Sequence, residues 1–239
     1  MDIKNIKPNQ NKKLIIEIAG EYFYRYPIKT HLIGKDDNLL AIAKKYLKDI
    51  VRHDDLAVFS KKIVSITQKR AYLPEEITPT RLAKVFSKFV KKSPKIGTVL
   101  GTPEAMQLAI DESGRFRIVL AAVLSALTKP FRLKGIFYRV AGQKALSVSG
   151  PANYTISPYN NYYFKCPADP KITAQELSRL LGCQTVIIDA CDMGVDVLGA
   201  SDEISKEIIK KIFQDNPLGQ SNEQTPIAVI RRERPGKNL

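Results

Sequence analysis

The sequence predicts an α+β fold with mixed sheets and intertwined subdomains. Short apolar runs indicate strands, and apolar positions at helical spacing behind capping residues indicate helices. The two kinds of segment alternate without the regular βαβ rhythm of a parallel doubly wound sheet. We therefore expect one domain over residues 13–231, built from two interlocked subdomains, with flexible segments at 1–12 and 232–239.

The predicted strands are short and rich in β-branched and apolar residues. Residues 21–33 are predicted to be extended as well. The predicted strands lie at 14–18, 56–59, 63–67, 133–140, 145–149, 185–188 and 227–230.

The predicted helices are marked mainly by their starts. Asp36 or Asp37 can cap a first helix, and Thr78-Pro79 and Thr102-Pro103 each combine an N-cap with a proline at the first helical position. Residues 115–127 predict a largely apolar, central helix. Thr173 with Glu176 predicts a capping box, Gly182 a helix end, and residues 203–213 a last amphipathic helix.

The composition favours an anionic partner. The chain carries 38 Lys and Arg against 24 Asp and Glu, a formal net charge of +14, which suits a nucleotide, a phosphorylated cofactor or nucleic acid. An ordinary solvated basic surface is the alternative, because the lysine pairs are scattered. A nucleic-acid partner is the less favoured of these, since no recognisable RNA- or DNA-binding motif accompanies the charge.

The cysteine and histidine counts and the hydropathy restrict the kinds of metal site and the class of protein. Three cysteines without paired spacing argue against a disulfide framework, and two histidines argue against a His-rich metal site. Any metal is then held mainly by carboxylates, which favours Mg²⁺ or Mn²⁺. No apolar run approaches the roughly 18 residues of a membrane span. We expect a cytoplasmic protein with no membrane partner.

The most distinctive constellation is an acidic cluster behind a buried strand. Residues 185–188 run directly into Asp189, and Asp192 follows. Carboxylates in one short turn can share a divalent cation whose remaining ligands are phosphates. In the alternative interpretation the two aspartates cap backbone amides of a polar turn.

Two further segments are candidates for binding. Lys61 and Lys62, at a predicted strand-to-strand junction, can pair with phosphates or can form a solvated basic turn. In the loop at 150–161, Asn153 and Thr155 can donate hydrogen bonds to a ligand. The sequence contains no GxxxxGK[ST] loop and no GxGxxG fingerprint.

In this order, these segments resemble the coenzyme F420-0:L-glutamate ligase family. The family's early segment ending in Gly-Asp-Asp-Leu is similar to residues 30–39, and its Ser-Lys-Ile-Val-Ser-Lys motif to residues 61–66. Its Gly-Val-Asp-Arg-Ser-Asn loop falls at 150–155 and its Thr-Asp-Thr-Phe-Gly-Arg strand end at 190–195. The resemblance runs from about residue 25 to residue 231.

The resemblance implies a GTP- and metal-dependent ligase. Such enzymes activate a carboxylate of an anionic cofactor precursor as an acyl phosphate, and L-glutamate then attacks to form a γ-glutamyl amide. It implies a homodimer with a γ-glutamyl ligase-like α+β fold and a metal near Asp189, Asp192 and the loop at 150–155. The residues that it places against the nucleotide are Thr30, His31, Leu32, Ile33, Lys61 and Lys62.

Three positions depart from the family pattern. Ala152 stands where the family loop has an acidic residue, Ile66 stands at its second lysine, and Cys191 stands at its aspartate. The competing hypotheses are therefore an active ligase, a homologue that binds a nucleotide or cofactor without turnover, and a basic nucleic-acid-binding protein.

Overall fold

The computed structural model of the protein describes residues 3–90, 99–128, 135–191, 194–219 and 221–233. The chain forms two compact units. The first, here the sheet unit, combines Met1–Lys69 with Pro167–Leu239, and the second, here the helical unit, is Arg70–Cys166.

The sheet unit is built on a mixed sheet. Its described strands run in the order β1-β2-β8-β3-β6-β7, so the last strand of the chain lies between two early ones. The neighbours β3 and β6 are parallel, and every other pair is antiparallel. The strands are β1 (Ile15–Ile18), β2 (Glu21–Ile28), β3 (Leu56–Ser60), β6 (Gln184–Cys191), β7 (Gly194–Ala200) and β8 (Ile227–Glu233).

Helices cover both faces of this sheet. The helices of the unit are α1 (Leu39–Leu47), α2 (Lys61–Thr67), α8 (Pro170–Leu181) and α9 (Lys206–Ile212). Ile209 and Ile212 of α9 pack in one apolar cluster with Val186 and Ile188 of β6. Ile187 points to the opposite face, because side chains alternate along a strand. There α8 approaches the sheet so closely that a Cβ on Gly199 would lie 2.4 Å from the Pro170 carbonyl carbon.

The helical unit is organised around one buried helix. Six consecutive residues of α4, from Ala105 to Ile110, are buried. The buried Gln107 side chain accepts a hydrogen bond from the Thr80 backbone N–H at 3.0 Å and so fixes the start of α3. The elements of this unit are β4 (Ala71–Tyr72), α3 (Arg81–Phe89), α4 (Pro103–Ser113), α5 (Arg115–Thr128), α6 (Ile136–Ala141), α7 (Gln143–Leu146) and β5 (Tyr163–Phe164).

The predicted α+β class is confirmed, but some elements differ. Residues 63–67 lie in α2 and not in a strand, although their β-branched composition favours a strand. Burial of most of this short segment outweighs that propensity. The described parts of the predicted strands at 133–140 and 145–149 are largely helical, in α6 and α7, and residues 133 and 134 lie outside the described residues.

Several predicted helix starts also shift. Asn38 caps α1, Thr80 caps α3 behind Pro79, and Asp169 precedes α8, so the predicted Thr173 capping box is wrong. The Thr102 cap and the Gly182 helix end are confirmed. The predicted central helix at 115–127 forms as α5, but its buried residues are Ile118 and Ala121 alone.

The described parts of the two terminal segments are more ordered than the sequence predicts. Asn9 donates side-chain hydrogen bonds to the Pro217 carbonyl at 2.8 Å and to the Thr225 hydroxyl at 2.7 Å. Strand β8 continues to Glu233, so residues 232 and 233 are strand rather than tail. Within the described ranges, no helix has the length and apolar character that crossing a membrane requires.

A buried ion pair fixes the middle of the sheet. Arg231 of β8 donates from Nε to Asp55 Oδ1 at 2.8 Å and from Nη2 to Asp55 Oδ2 at 2.7 Å. Both residues are buried, and Arg231 also donates to the Ile50 carbonyl at 3.2 Å. The hydrogen bonds from Arg231 to Asp55 raise the pKa of the guanidinium further, so the cation is retained.

We expect Asp55→Ala to lower the free energy of unfolding by about 3–5 kcal/mol, because it leaves the Arg231 cation buried without its carboxylate. Chemical denaturation measures the change. The exposed neighbour Asp54 provides the control, and Asp54→Ala should cost no more than about 0.5 kcal/mol. Equal stability of the two variants would contradict this account of the ion pair.

Candidate functional site

The strand order brings three predicted segments to one edge of the sheet. Strands β2, β3 and β6 all end at this edge, and β8 begins there, because β8 is antiparallel to both of its neighbours. The edge therefore carries the residues after Ile28, after Ser60 and around Asp189. Adjacent strands lie roughly 4.8 Å apart, which puts the end of β2 about 10 Å from the end of β3.

The parallel pairing of β3 and β6 positions an ion pair at this edge. Ser60, the last residue of β3, is level with Ile188 of β6, so Lys61 at the start of α2 and Asp189 of β6 are neighbours. Lys61 Nζ donates to Asp189 Oδ2 at 2.7 Å. The Lys61 side chain is 3% exposed and that of Asp189 is 38% exposed. The ammonium is thus held inside the protein while the carboxylate reaches solvent.

Lys62 is the second cation of the edge and has an unusual acidity. Burial, with repulsion by Lys61 as a smaller cause, lowers the pKa of its ammonium group to about 8, and the charge of Asp189 acts in the opposite direction. Near pH 8 the group is therefore divided between its ammonium and amine forms. An anion that binds nearby would raise the pKa again and favour the ammonium form.

A second carboxylate lies opposite Asp189. In the β6–β7 hairpin Asp189 is the direct partner of Asp196, so the two side chains share one face of the sheet and repel each other. The Asp196 side chain is 71% exposed and its carboxylate is 3.9 Å from Lys210 Nζ. Asp192, a predicted metal ligand, lies outside the described residues.

This donor set fits a hard cation in one specific way. No group of three His, Cys, Asp or Glu side chains comes together as metal ligands where the structure describes the chain. Magnesium is usually held by one or two carboxylates while phosphates and water supply its other ligands. The opposed carboxylates of Asp189 and Asp196 fit that mode, and they do not form a site that is complete without phosphate.

The predicted nucleotide segment, Thr30 to Ile33, follows β2 at the same edge. Thr30 is buried and donates its hydroxyl hydrogen to the His31 carbonyl at 2.8 Å. Ile33 is 3% exposed and belongs to the core, whereas Leu32 is 43% exposed. The segment therefore alternates between anchoring side chains and side chains that face solvent.

His31 is fixed by two partners. Its Nε2 lies 3.1 Å from Asp37 Oδ2, and its Nδ1 lies 2.9 Å from the Tyr46 hydroxyl. A carboxylate only accepts hydrogen bonds, so in the neutral form of the ring the proton lies on Nε2, next to Asp37. The Tyr46 hydroxyl can then donate to Nδ1. The Gly34 backbone N–H, with a smaller contribution from His31, holds the pKa of Asp37 below its usual range.

The predicted substrate loop belongs to the helical unit. Thr155 is buried, and its backbone N–H donates to the Ala152 carbonyl at 2.9 Å. Asn153 is exposed in the same loop. Asn153 and Thr155 therefore lie in a different unit from Lys61 and Asp189.

Sequence reasoning missed two features of this edge. The antiparallel register of β6 and β7 pairs Asp189 with Asp196, so the second carboxylate could have been found by pairing the two strands. The contact of His31 with Tyr46 carried no comparable signal, because it depends on how α1 packs. Lys61 and Lys62 lie at a strand-to-helix junction, not at the predicted strand-to-strand junction.

We expect the pKa of Lys62 to lie near 8 in the folded chain and to fall further in Asp189→Asn, because that variant loses the opposing charge. Since the unfolded chain binds more protons between pH 8 and the usual lysine range, this group adds stability as pH rises through that window. Amine labelling followed by mass spectrometry, measured against pH, checks the shift. An ordinary lysine titration at Lys62 would contradict it.

Comparison with known protein families identifies the family of the chain. The model of the F420-0:gamma-glutamyl ligase family matches residues 27–200, which is more than two thirds of the chain and includes every segment of the edge described above except the start of β8. No curated protein matches the chain significantly. On the extent of the family match, the chain belongs to the F420-0:gamma-glutamyl ligase family.

Proposed function

We propose that the protein uses GTP and Mg²⁺ or Mn²⁺ to join L-glutamate, through a γ-glutamyl amide bond, to an anionic cofactor precursor of the F420-0 type. The observation that supports this most is the Lys61–Asp189 pair, with Lys62 beside it, at the sheet edge within the matched stretch. Homodimer formation, which the sequence resemblance implies, is part of the same proposal.

The proposed reaction has two steps. An oxygen of the precursor carboxylate attacks the γ-phosphorus of GTP, the bond to the β-phosphate oxygen breaks, and GDP leaves. The glutamate amine then attacks the acyl carbon, loses a proton and expels inorganic phosphate. In both steps negative charge develops on phosphate oxygens, so the protein contributes chiefly by positioning the reactants and by neutralising charge.

The two lysines have different parts in this proposal. Lys61 is buried and already donates to Asp189, so its part is to fix the position of the carboxylate. Lys62 has a pKa of about 8, so its ammonium form is the one that an incoming phosphate would stabilise most. We expect Lys62 to contact the triphosphate and to become fully charged when the nucleotide binds.

Asp189 and Asp196 would hold the divalent cation, with Asp192 as the further candidate that the sequence predicts. Once bound, the cation would neutralise phosphate charge. Lys61 leaves Oδ1 of Asp189 for this purpose, since its own hydrogen bond is to Oδ2.

The remaining predicted residues complete the proposal. Thr30, His31, Leu32 and Ile33 follow the neighbouring strand end, where the segment can border the nucleotide. Asn153 and Thr155 remain the proposed residues of the substrate loop.

A non-catalytic homologue is the second candidate, and the departures from the family pattern favour it. Ile66 stands at a family lysine and is 3% exposed in α2, so it is a core residue. Ala152 and Cys191 each stand where the family has an acidic residue. Such a protein would bind GTP with a divalent cation and raise its melting temperature, but would not turn the nucleotide over.

We expect the wild-type chain to release phosphate from GTP only when L-glutamate and the precursor F420-0 are both present. Asp189→Asn should lower kcat/KM about 100-fold, because Lys61 loses its anchoring charge and the cation loses a ligand. A coupled phosphate assay, with mass spectrometry of the product, measures both effects.

The control for that experiment is Asp49→Asn, a change of the same kind at an exposed position just after α1. It should retain wild-type activity. Stabilisation by GTP and Mg²⁺ without turnover would favour the binding homologue, and absence of both turnover and binding would refute the proposed function.

We also expect GTP with Mg²⁺ to slow amine labelling of Lys62 about tenfold at pH 8, because a bound phosphate shields the amine and favours its ammonium form. Lys48, exposed just after α1, serves as the reference within the same sample. Equal labelling of Lys62 with and without nucleotide would mean that the triphosphate does not contact it.

A further inference from the structure

The positive charge of the chain is concentrated in the helical unit. Residues 70–166 contain fifteen Lys or Arg and five Asp or Glu, a formal charge of +10 out of the chain's +14. No Asp or Glu occurs between Glu112 and Asp169. The sheet unit, which carries the candidate ligase site, is close to balanced by comparison.

Helix α3 of this unit presents basic and apolar side chains together. Val85 is 49% exposed and Phe89 is 80% exposed. The other exposed residues of the helix are Arg81, Lys84 and Lys88. The solvent face of α3 thus consists of three cations and two large apolar side chains, with no acidic residue.

Helix α5 has a longer apolar stripe. Phe116 is 81% exposed, Leu120 39%, Val123 48% and Leu127 64%. Their spacing of four, three and four residues puts them on one side of the helix. Arg115 and Arg117, also exposed, lie in its first turn. Such a stripe is usually buried in a core, and here it faces solvent.

We propose that the solvent faces of α3 and α5, two helices that each pack against α4, bind an anionic lipid membrane from the side, without spanning it. Apolar side chains bordered by Lys and Arg are the combination by which interfacial helices enter the headgroup region of anionic bilayers. Both phenylalanines are about four fifths exposed, so they project from the surface and do not line a groove. A projecting side chain suits a fluid surface that deforms around it.

Charge and chemistry disfavour the other occupants of this face. A second copy packed symmetrically on this face would bring Arg81, Lys84 and Lys88 of the two chains together, which is repulsive, so the proposed homodimer would use another face. A nucleic acid would satisfy the cations and could stack on the phenylalanines, but it would leave the aliphatic stripe of α5 in water. The sequence-based expectation of no membrane partner rested on the lack of an apolar run long enough to span a bilayer. Contact with the membrane surface does not require a spanning helix.

The absence of tryptophan from the chain allows a direct test. Phe89→Trp and Phe116→Trp each introduce one fluorophore on this surface. We expect the emission of both to shift to the blue with vesicles of phosphatidylglycerol and phosphatidylcholine, but not with phosphatidylcholine alone. The matched control is Ile172→Trp, on the 55% exposed Ile172 of the sheet unit, and its emission should not change.

Vesicle sedimentation of the full chain supplies the second measurement. The double variant Phe89→Ser/Phe116→Ser should bind anionic vesicles at least about tenfold more weakly than the wild type, and added salt should weaken the binding of the wild type. Because neither side chain is in the core, the variant should keep the wild-type melting temperature. This test requires no nucleotide, so its outcome is independent of the proposed ligase activity.

Three results would overturn the proposal. The first is that anionic vesicles neither sediment the wild type nor shift either tryptophan at low salt. The second is unchanged binding by the double serine variant. The third is tighter binding to single-stranded RNA than to vesicles, lost in the same variant, which would assign the surface to nucleic acid.

Discussion

The ion pair between Lys61 and Asp189 is the contact on which the candidate site depends. It exists because β3 and β6 are parallel and in a register that makes the two residues neighbours. In an antiparallel pair the end of one strand would meet the start of the other. The Lys61 ammonium group is buried, whereas the Asp189 carboxylate reaches solvent. The edge therefore presents a hydrogen-bond acceptor to solvent and keeps the cation inside the protein.

The electrostatics of the edge follow from that arrangement. Burial and the nearby Lys61 lower the pKa of Lys62 to about 8. A bound anion would stabilise the ammonium form of this side chain. Asp189 and Asp196, which are paired across the hairpin, repel each other, and a bound cation would reduce this repulsion. A nucleotide with its divalent cation would relieve both conditions at once, and we propose that this complementarity is the part of the edge in the chemistry of the ligase family to which the chain belongs.

Local sequence signals predicted the elements whose burial pattern is regular, such as β6, α4 and the strand at 227–230. They failed at residues 63–67, where β-branched residues lie in a short helix that tertiary packing stabilises. Sequence order predicted which segments carry charged side chains, but the 2.7 Å contact of Lys61 with Asp189 depends on strand register. Likewise, the apolar residues of α5 predicted a central helix, but only Ile118 and Ala121 of this helix are buried. Burial depends on neighbouring elements, which periodicity does not reveal.

The central claim is that the Lys61–Asp189 edge holds the cation–triphosphate complex. Anomalous diffraction from crystals grown with Mn²⁺ and a non-hydrolysable GTP analogue tests it most directly. The account predicts a manganese peak bonded to Asp189 and to phosphate oxygens, with Lys62 Nζ within hydrogen-bond distance of the triphosphate. Manganese and nucleotide bound elsewhere, with the Lys61–Asp189 pair untouched, would contradict it.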